Sequence, residues 1–226
     1  MENLFQSAAA IHSRHPTTKT LDIYQKYDDF ISHHLLLPKS ILEIGTFQGE
    51  STKVISNTFP EAKILTLDLN LRDIDFSNYK NVTYEKADQS NPNHLIPLIT
   101  KHFPMGIDLV IEDASHIGYL SKITFDIVFP FLKSGGAYFI EDWATGYWDS
   151  WIDGSRFQIF HQVPHNNNIP KRIPSHDFGM VGFVKSLVDL TQEEAIKNNQ
   201  HDVPQSLESR IKVLEFRGGC CMLLKS

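Results

Sequence analysis

Cysteine is nearly missing from this chain: its 226 residues include two, Cys220 and Cys221, side by side. Adjacent cysteines make a poor structural staple, because disulfide geometry needs well-separated Cα atoms. That argues against a disulfide framework and makes a reducing cytoplasm the expected setting. Long apolar runs are lacking too, so no segment reads as a bilayer span and no membrane partner is expected. No charged-then-apolar N-terminal stretch reads as a secretion signal, which leaves the sequon Asn81-Val82-Thr83 as a chance match. A basic surplus is absent: the net charge is -6 and the pI about 6.0, which argues against nucleic acid as the main partner. No Cys or His cluster has zinc-ligand spacing, and there is neither an internal repeat nor a low-complexity segment.

What is present is ordinary in amount, 41% hydrophobic and 21% charged, enough for one α/β domain with a good core. The order is informative. Residues 1–37 have helical spacing, with Leu21, Tyr24, Tyr27 and Ile31 on one face and Pro38 ending the segment. Short apolar runs at 41–44, 63–69, 81–85, 106–113 and 137–142 read as strands. Helical patterns lie between them at 50–59, at 91–103 despite Pro97, and at 119–132, with Gly135-Gly136 as a turn. Residues 180–190 read as a further helix, and the tail from Arg210 reads as two strands around Gly218-Gly219. The expectation is a Rossmann-like, doubly wound, mostly parallel seven-stranded sheet closed by a C-terminal antiparallel hairpin, all in a single domain. Residues 143–178 break the rhythm with Trp143, Trp148, Trp151, several histidines and an Asn166–Asn168 run. A loop that long in a compact domain is usually functional. It is expected to form a substrate-side insertion, although Trp143 and Trp151 could equally cover the sheet edge. His161, His165 and His176 show no metal spacing and read as polar loop residues.

In open α/β sheets the ligand lies beyond the carboxyl ends of the strands. The first such end is "EIGTFQG", residues 43–49, with glycines spaced G-x-x-x-G. Gly45 permits a tight turn and Gly49 lets the loop fold over a ligand before a helix starts. A dinucleotide would call for tighter glycine packing around its pyrophosphate, so the wider spacing suits a ligand without phosphates. The loop alone could equally be a plain strand–turn–helix connector. Asp68, ending "LTLDLN", is placed to accept ribose hydroxyls, and Asp88 in "ADQSN" to accept from an adenine amino group.

On these three stretches the chain resembles the class I S-adenosylmethionine-dependent methyltransferases. The resemblance implies that Gly45, Thr46 and Gly49 approach the methionine part of that cofactor and that Glu43 holds its amino group through water. It implies ribose binding by Asp68, adenine binding by Asp88 or Gln89, and a cofactor contact for Asp113.

Two further strand ends, "IEDASH" and "FIEDW", bring Asp113, His116, Glu141 and Asp142 towards one cleft. Crowded carboxylates repel unless a cation joins them, and oxygen ligands favour Mg²⁺, Mn²⁺ or Ca²⁺. An imidazole such as that of His116 suits a general base. Taken singly, each acid could instead cap a helix or pair with Lys133 or Arg156. Together the motifs resemble those of the macrolide-sugar (mycinamicin-type) O-methyltransferases and the wider group of cephalosporin hydroxylase-like proteins. Weaker echoes lie in "TKTLDIYQKYDDF", residues 18–30, and in "IKVLEF". This likeness implies Asp113, Glu141 and Asp142 as metal ligands, His116 as base, and methyl transfer to a hydroxyl of a sugar, polyketide or other natural product. Such relatives often self-associate, so a homo-oligomer is within expectation. The alternative is a metal-dependent hydroxylase on the same fold, which would favour two histidines and one carboxylate.

Overall fold

In the computed structural model, residues 3–13, 19–160, 175–198 and 211–226 are described, and the account below concerns these. Five short β-branched and leucine-rich runs form parallel strands: β1 Ser40–Ile44, β2 Lys63–Asp68, β3 Val82–Lys86, β4 Ile107–Glu112 and β5 Leu132–Glu141. Two more, β6 Ile211–Arg217 and β7 Cys220–Lys225, form an antiparallel hairpin, with β7 also antiparallel to β5. The seven strands make one sheet in the order β3-β2-β1-β4-β5-β7-β6, so the expected fold is observed. Order reverses between β1 and β4, and the space beyond their carboxyl ends is where such sheets bind ligands.

Helices cover both faces. On one lie α1 Leu4–His12, α2 Leu21–His33 and α3 Glu50–Thr58; on the other α4 Pro92–His102, α5 Gly118–Val128 and α7 Gly179–Leu190. Because side chains alternate along a strand, each strand feeds both cores. Ile41, Leu109, Phe139 and Cys220 pack with α1–α3, whereas Leu42, Val110, Tyr138 and Cys221 pack with α4, α5 and α7. The adjacent cysteines thus point to opposite faces, both buried and both free. The same parity decides the buried acids: Glu43 and Glu141 lie on the α1–α3 side and Glu112 on the α5 side.

Three boundaries differ from expectation. The N-terminal segment is two helices, with α2 ending at His33 rather than at Pro38. Asp28 of α2 accepts the Leu4 and Phe5 amides at 2.9 and 2.8 Å, which ties the start of α1 to α2. Gly135-Gly136 is not a turn between elements but lies inside β5. There Ile107 faces Leu132 while Leu109 faces Ala137, so the pairing skips the glycine pair as an irregularity, with Gly135 at φ +75°. Helix α5 stops at Val128, and a short 3₁₀ turn, Phe129–Phe131, leads directly into β5. Among the described residues, no helix is long and apolar enough to cross a membrane.

Candidate functional site

A cleft of about 310 Å³ opens at the carboxyl ends of β1, β2 and β4. Gly45, Asp68, Asp88, Gln89 and Asp113 line it, as the sequence led us to expect. Phe47, Leu69, Arg72, Ser115 and Leu120 also line it, and no motif pointed to them. The Arg72 guanidinium lies 4.7 Å from the Phe47 ring centroid, a cation–π contact that closes one side of the cleft.

Other segments of the chain pack against the glycine loop. Gly45 has φ +101°, and a Cβ there would lie 2.0 Å from the Asp113 carbonyl oxygen. Its need for glycine is therefore set by the backbone of the loop after β4. Gly49, at φ +80°, opens α3 and makes room for the Ile74 and Phe76 side chains; it does not line the cleft. Thr46 is buried behind the loop, its hydroxyl 2.7 Å from that of Thr66. Asp68 orders the loop directly: Oδ2 accepts the Phe47 amide and Oδ1 the Asn70 amide, each at 2.9 Å. Asp88 Oδ1 accepts both the amide and the hydroxyl of Ser90, which holds its carboxyl below the usual range.

Two polar groups deeper in the wall are set by burial. Glu43 Oε2 accepts hydroxyls from Thr52 and Thr66, at 2.5 and 2.8 Å, while Oε1 has no hydrogen-bond partner among the described residues. Burial pushes this carboxyl up, with Lys19 and the hydroxyls pulling it back. Gln89 is fully engaged: Nε2 donates to Glu112 Oε1 and Thr124 Oγ1, and Oε1 accepts the Ser115 amide. It braces the cleft wall and has little left to offer a ligand, which separates it from Asp88. Burial pushes the Glu112 carboxyl up to about 7 against hydrogen bonds from Ser121 and Gln89.

Beyond Asp113 the cleft meets the acidic pocket. Asp113, His116 and Asp142 each offer one ligand atom, and these atoms lie within 4.8 Å of one another. His116 Nε2 is 3.8 Å from Asp113 Oδ1 and 3.8 Å from Asp142 Oδ2. Both His116 and Asp142 sit at φ +52°, in the left-handed region that non-glycine residues enter at a cost. Burial pushes the Asp142 carboxyl up, as does Asp113, while His116 pulls it down.

Glu141, the third expected ligand, has other partners in this structure. Being in the strand, it points to the α2 face, where its Oε1 accepts from the Tyr27 hydroxyl and from Lys19 Nζ, the latter at 2.5 Å. It is absent from the group of converging donors. Lys19 Nζ also lies 2.9 Å from Asp113 Oδ2, so an internal cation joins two of the acids. The premise that only a bound ion could relieve their repulsion therefore does not hold. Burial opposes the Lys19 ammonium, but Asp113 and Glu141 outweigh it and hold its pKa well above the ordinary range. Burial and Asp113 push Glu141 up to about 8, with Lys19 and Tyr27 pulling it down. Lys19 and Tyr27 went unassigned in the sequence; their one signal was the weak echo in residues 18–30.

The aromatic segment divides. Trp143 belongs to a 3₁₀ turn, Trp143–Tyr147, and packs on the core, edge-on to Phe216 at 6.1 Å. Trp151 meets the His116 ring edge-on at 5.3 Å, and Trp148 is half exposed. Asp153, on α6 Ile152–Phe160, is buried, and its Oδ2 accepts the Gly118 amide at 2.7 Å and the Met180 amide at 2.8 Å. One carboxylate thus caps two helix N-termini and fixes the chain two residues after His116. His176 is buried rather than a polar loop residue, stacked on Phe178, with Nε2 3.0 Å from the Gly146 carbonyl oxygen. His161, His165 and the Asn166–Asn168 run lie outside the described residues.

No protein-family model matches the chain. Demethylmacrocin O-methyltransferase of Streptomyces fradiae is 29% identical over 171 residues, 73% of this chain and 38% of that protein. Mycinamicin VI 2''-O-methyltransferase of Micromonospora griseorubida is 26% identical over 178 residues, 76% of this chain and 40% of that protein. Among solved structures, the MycE methyltransferase from the mycinamycin biosynthetic pathway, in complex with Mg and SAH, superposes with a TM-score of 0.74 at 22% identity. That superposition covers 97% of this chain and 53% of that one, and at such identity it is a likeness of fold. The chain thus resembles the macrolide-sugar O-methyltransferases and spans about two fifths of the length of these curated relatives.

Proposed function

We propose that the protein is an S-adenosylmethionine-dependent O-methyltransferase that uses a divalent ion and methylates a hydroxyl of a small natural-product molecule, with a glycosidic sugar as the leading acceptor class. The observation that carries this reading is the double position of Asp113. It lines the cleft with Gly45, Asp68 and Asp88, and it belongs to the group formed with His116 and Asp142. A methyl donor and an activated hydroxyl must meet within about 3 Å, and a shared residue between the two sites provides that adjacency.

The residues fit both groups. Asp68, with one lone pair of each oxygen already used by an amide, keeps acceptor capacity for ribose hydroxyls. Glu43 Oε1, a buried carboxylate oxygen with no partner among the described residues, fits the amino group of the methionine part through water. Asp113 and Asp142 would hold the ion, with His116 beside them; two carboxylates suit Mg²⁺ or Mn²⁺. When bound, the cofactor supplies the methyl group and the ion supplies positive charge against a developing alkoxide.

His116 is cast as the base. At 3.8 Å from either carboxylate, its Nε2 is beyond hydrogen-bond reach of both and open to take the acceptor's proton. The ring stands between the Asp113 and Asp142 carboxylates. Trp151 fixes the ring from the side, and Trp148 offers an exposed face on which a sugar could lie. The hydroxylase alternative is disfavoured, because the group holds one histidine and two carboxylates rather than the reverse.

Calorimetry with S-adenosylhomocysteine and a methyl-transfer assay on glycosylated macrolide acceptors, with and without chelator, test this. Binding of the cofactor product and turnover that stops in EDTA are expected. Undiminished turnover in EDTA would remove the metal role, and no affinity for the cofactor product would remove the reading as a whole.

A further inference from the structure

We propose that Asp153 is the positioning residue for His116: one buried carboxylate holds both the chain that carries the imidazole and the indole that bounds it. The inference rests on reading His116 as the base, and adds what keeps that base in place. A closed circuit of contacts carries it. Two residues after His116, the Gly118 amide donates to Asp153 Oδ2 at 2.7 Å. Two residues before Asp153 stands Trp151, whose ring meets that of His116 edge-on with centroids 5.3 Å apart. The same Oδ2 accepts the Met180 amide at 2.8 Å, and Met180 is fully buried in the core, so the circuit is anchored to the body of the protein.

The need for a remote carboxylate follows from the sequence. The first amides of a helix have no partner within it. Ile117 and Phe178, at the N-cap positions of α5 and α7, have side chains that accept no hydrogen bond. Asp153 takes one amide from each helix, and a carboxylate suits the positive end of both. Packing leaves this junction no slack. A Cβ on Gly118 would lie 1.9 Å from the Gly179 carbonyl carbon, and one on Gly179 would lie 2.4 Å from Asp153 Cγ. The two helix starts therefore touch backbone to backbone around the carboxyl group. His116 has φ +52°, a conformation that persists only where the surroundings hold it. Release of Gly118 would let residues 116–118 return to ordinary angles and carry the imidazole out of place. Asp153 itself meets neither substrate nor cofactor in this scheme; it acts through His116.

The test combines kinetics with the histidine-ring NMR signals of the full chain, the His116 signal being the one lost in His116→Gln. Asp153→Ala should move that signal more than those of the other described histidines. It should also lower kcat by about 10–100-fold, the scale of loss on misplacing a reacting group, with affinity for S-adenosylhomocysteine unchanged. Trp151→Leu keeps the carboxylate and removes the indole. It should move the same signal and lower kcat by less, and it carries the test should Asp153→Ala not fold. Asp108→Ala is the control. Asp108 Oδ2 likewise accepts two amides, those of Lys39 and Ser40, each at 2.9 Å, but at the amino end of β4, so kcat there should stay near that of the parent chain. A His116 signal that stays in place in both Asp153→Ala and Trp151→Leu overturns the proposal, as does an equal loss of kcat in Asp108→Ala. A moved signal in Asp153→Ala with full turnover in His116→Gln would instead sink the reading of His116 as base while this inference stands.

Discussion

The two halves of the site are built by different means. The cofactor half is made where consecutive strands end: β1 delivers Gly45, β2 delivers Asp68, and the turn after β3 delivers Asp88. Each residue lies within one or two positions of its strand's last residue, so backbone topology alone brings them to one edge. The acidic half is made by departures from regular structure. His116 and Asp142 take left-handed backbone angles, Lys19 reaches in from just before α2 and Tyr27 from α2 itself, and Asp153 clamps the following helix from another segment. Chemistry is expected to be sensitive in the acidic half and binding in the cofactor half.

The sharpest way to break that contrast is His116→Ala. Turnover should fall by about 10²–10⁴, the usual contribution of a general base, with affinity for S-adenosylhomocysteine unchanged. A matching loss of cofactor affinity would mean that the halves are not separable. Gly45→Ala probes their shared wall: an Ala Cβ would meet the Asp113 carbonyl oxygen, at a φ that L-residues avoid. Thermal unfolding should show a loss of about 3 kcal/mol, and both cofactor affinity and turnover should suffer together.

Glu112 offers a pH-dependent test of the cofactor wall. Its folded pKa of about 7 lies above the unfolded value of about 4.3, so the protein holds a proton there that the unfolded chain releases. Stability from this group is therefore full below about pH 4 and lost as pH rises to about 7. Glu112→Gln, which keeps an acceptor for Ser121 and Gln89, should raise stability at pH 8 by up to ~3 kcal/mol and do nothing near pH 4. A benefit independent of pH, followed by chemical denaturation, would contradict the assignment. The smallest effect is expected from Asp68→Ala. Its lost hydrogen bonds should weaken S-adenosylhomocysteine by about 10–100-fold while turnover at saturating cofactor is kept, as a split between KM and kcat would show.

Much of the fold was legible because its signals are local. Runs such as "KILTLDL" carry strand propensity, and alternation with helical patterns dictates a parallel sheet whatever packs upon it. The position of Asp68 and Asp88 at the cleft was legible for the same reason. The partners of Glu141 were not legible, because "FIEDW" does not say where the strand stops. Once Glu141 is the last residue of β5 and Asp142 the first beyond it, parity sends the two carboxylates to different places. Gly45 and Gly49 were marked as special, but what a missing side chain there makes room for within the chain is decided by other segments. Of the two readings open for Trp143, packing on the sheet is the one observed, whereas His176 was read as a polar loop residue and is buried against Gly146 and Phe178.

By itself, then, the sequence determined the strand order's raw material, the absence of a disulfide framework, and the set of acids at the strand ends. Those follow from the chemistry of neighbours along the chain. Only the tertiary structure decided that Asp113 faces two ways, that Lys19 from residue 19 balances acids at 113 and 141, and that His116 stands between two carboxylates. The reason is physical: electrostatic partnership depends on distances through space, and a lysine over 90 residues away in sequence carries no local mark of the carboxylates it will meet.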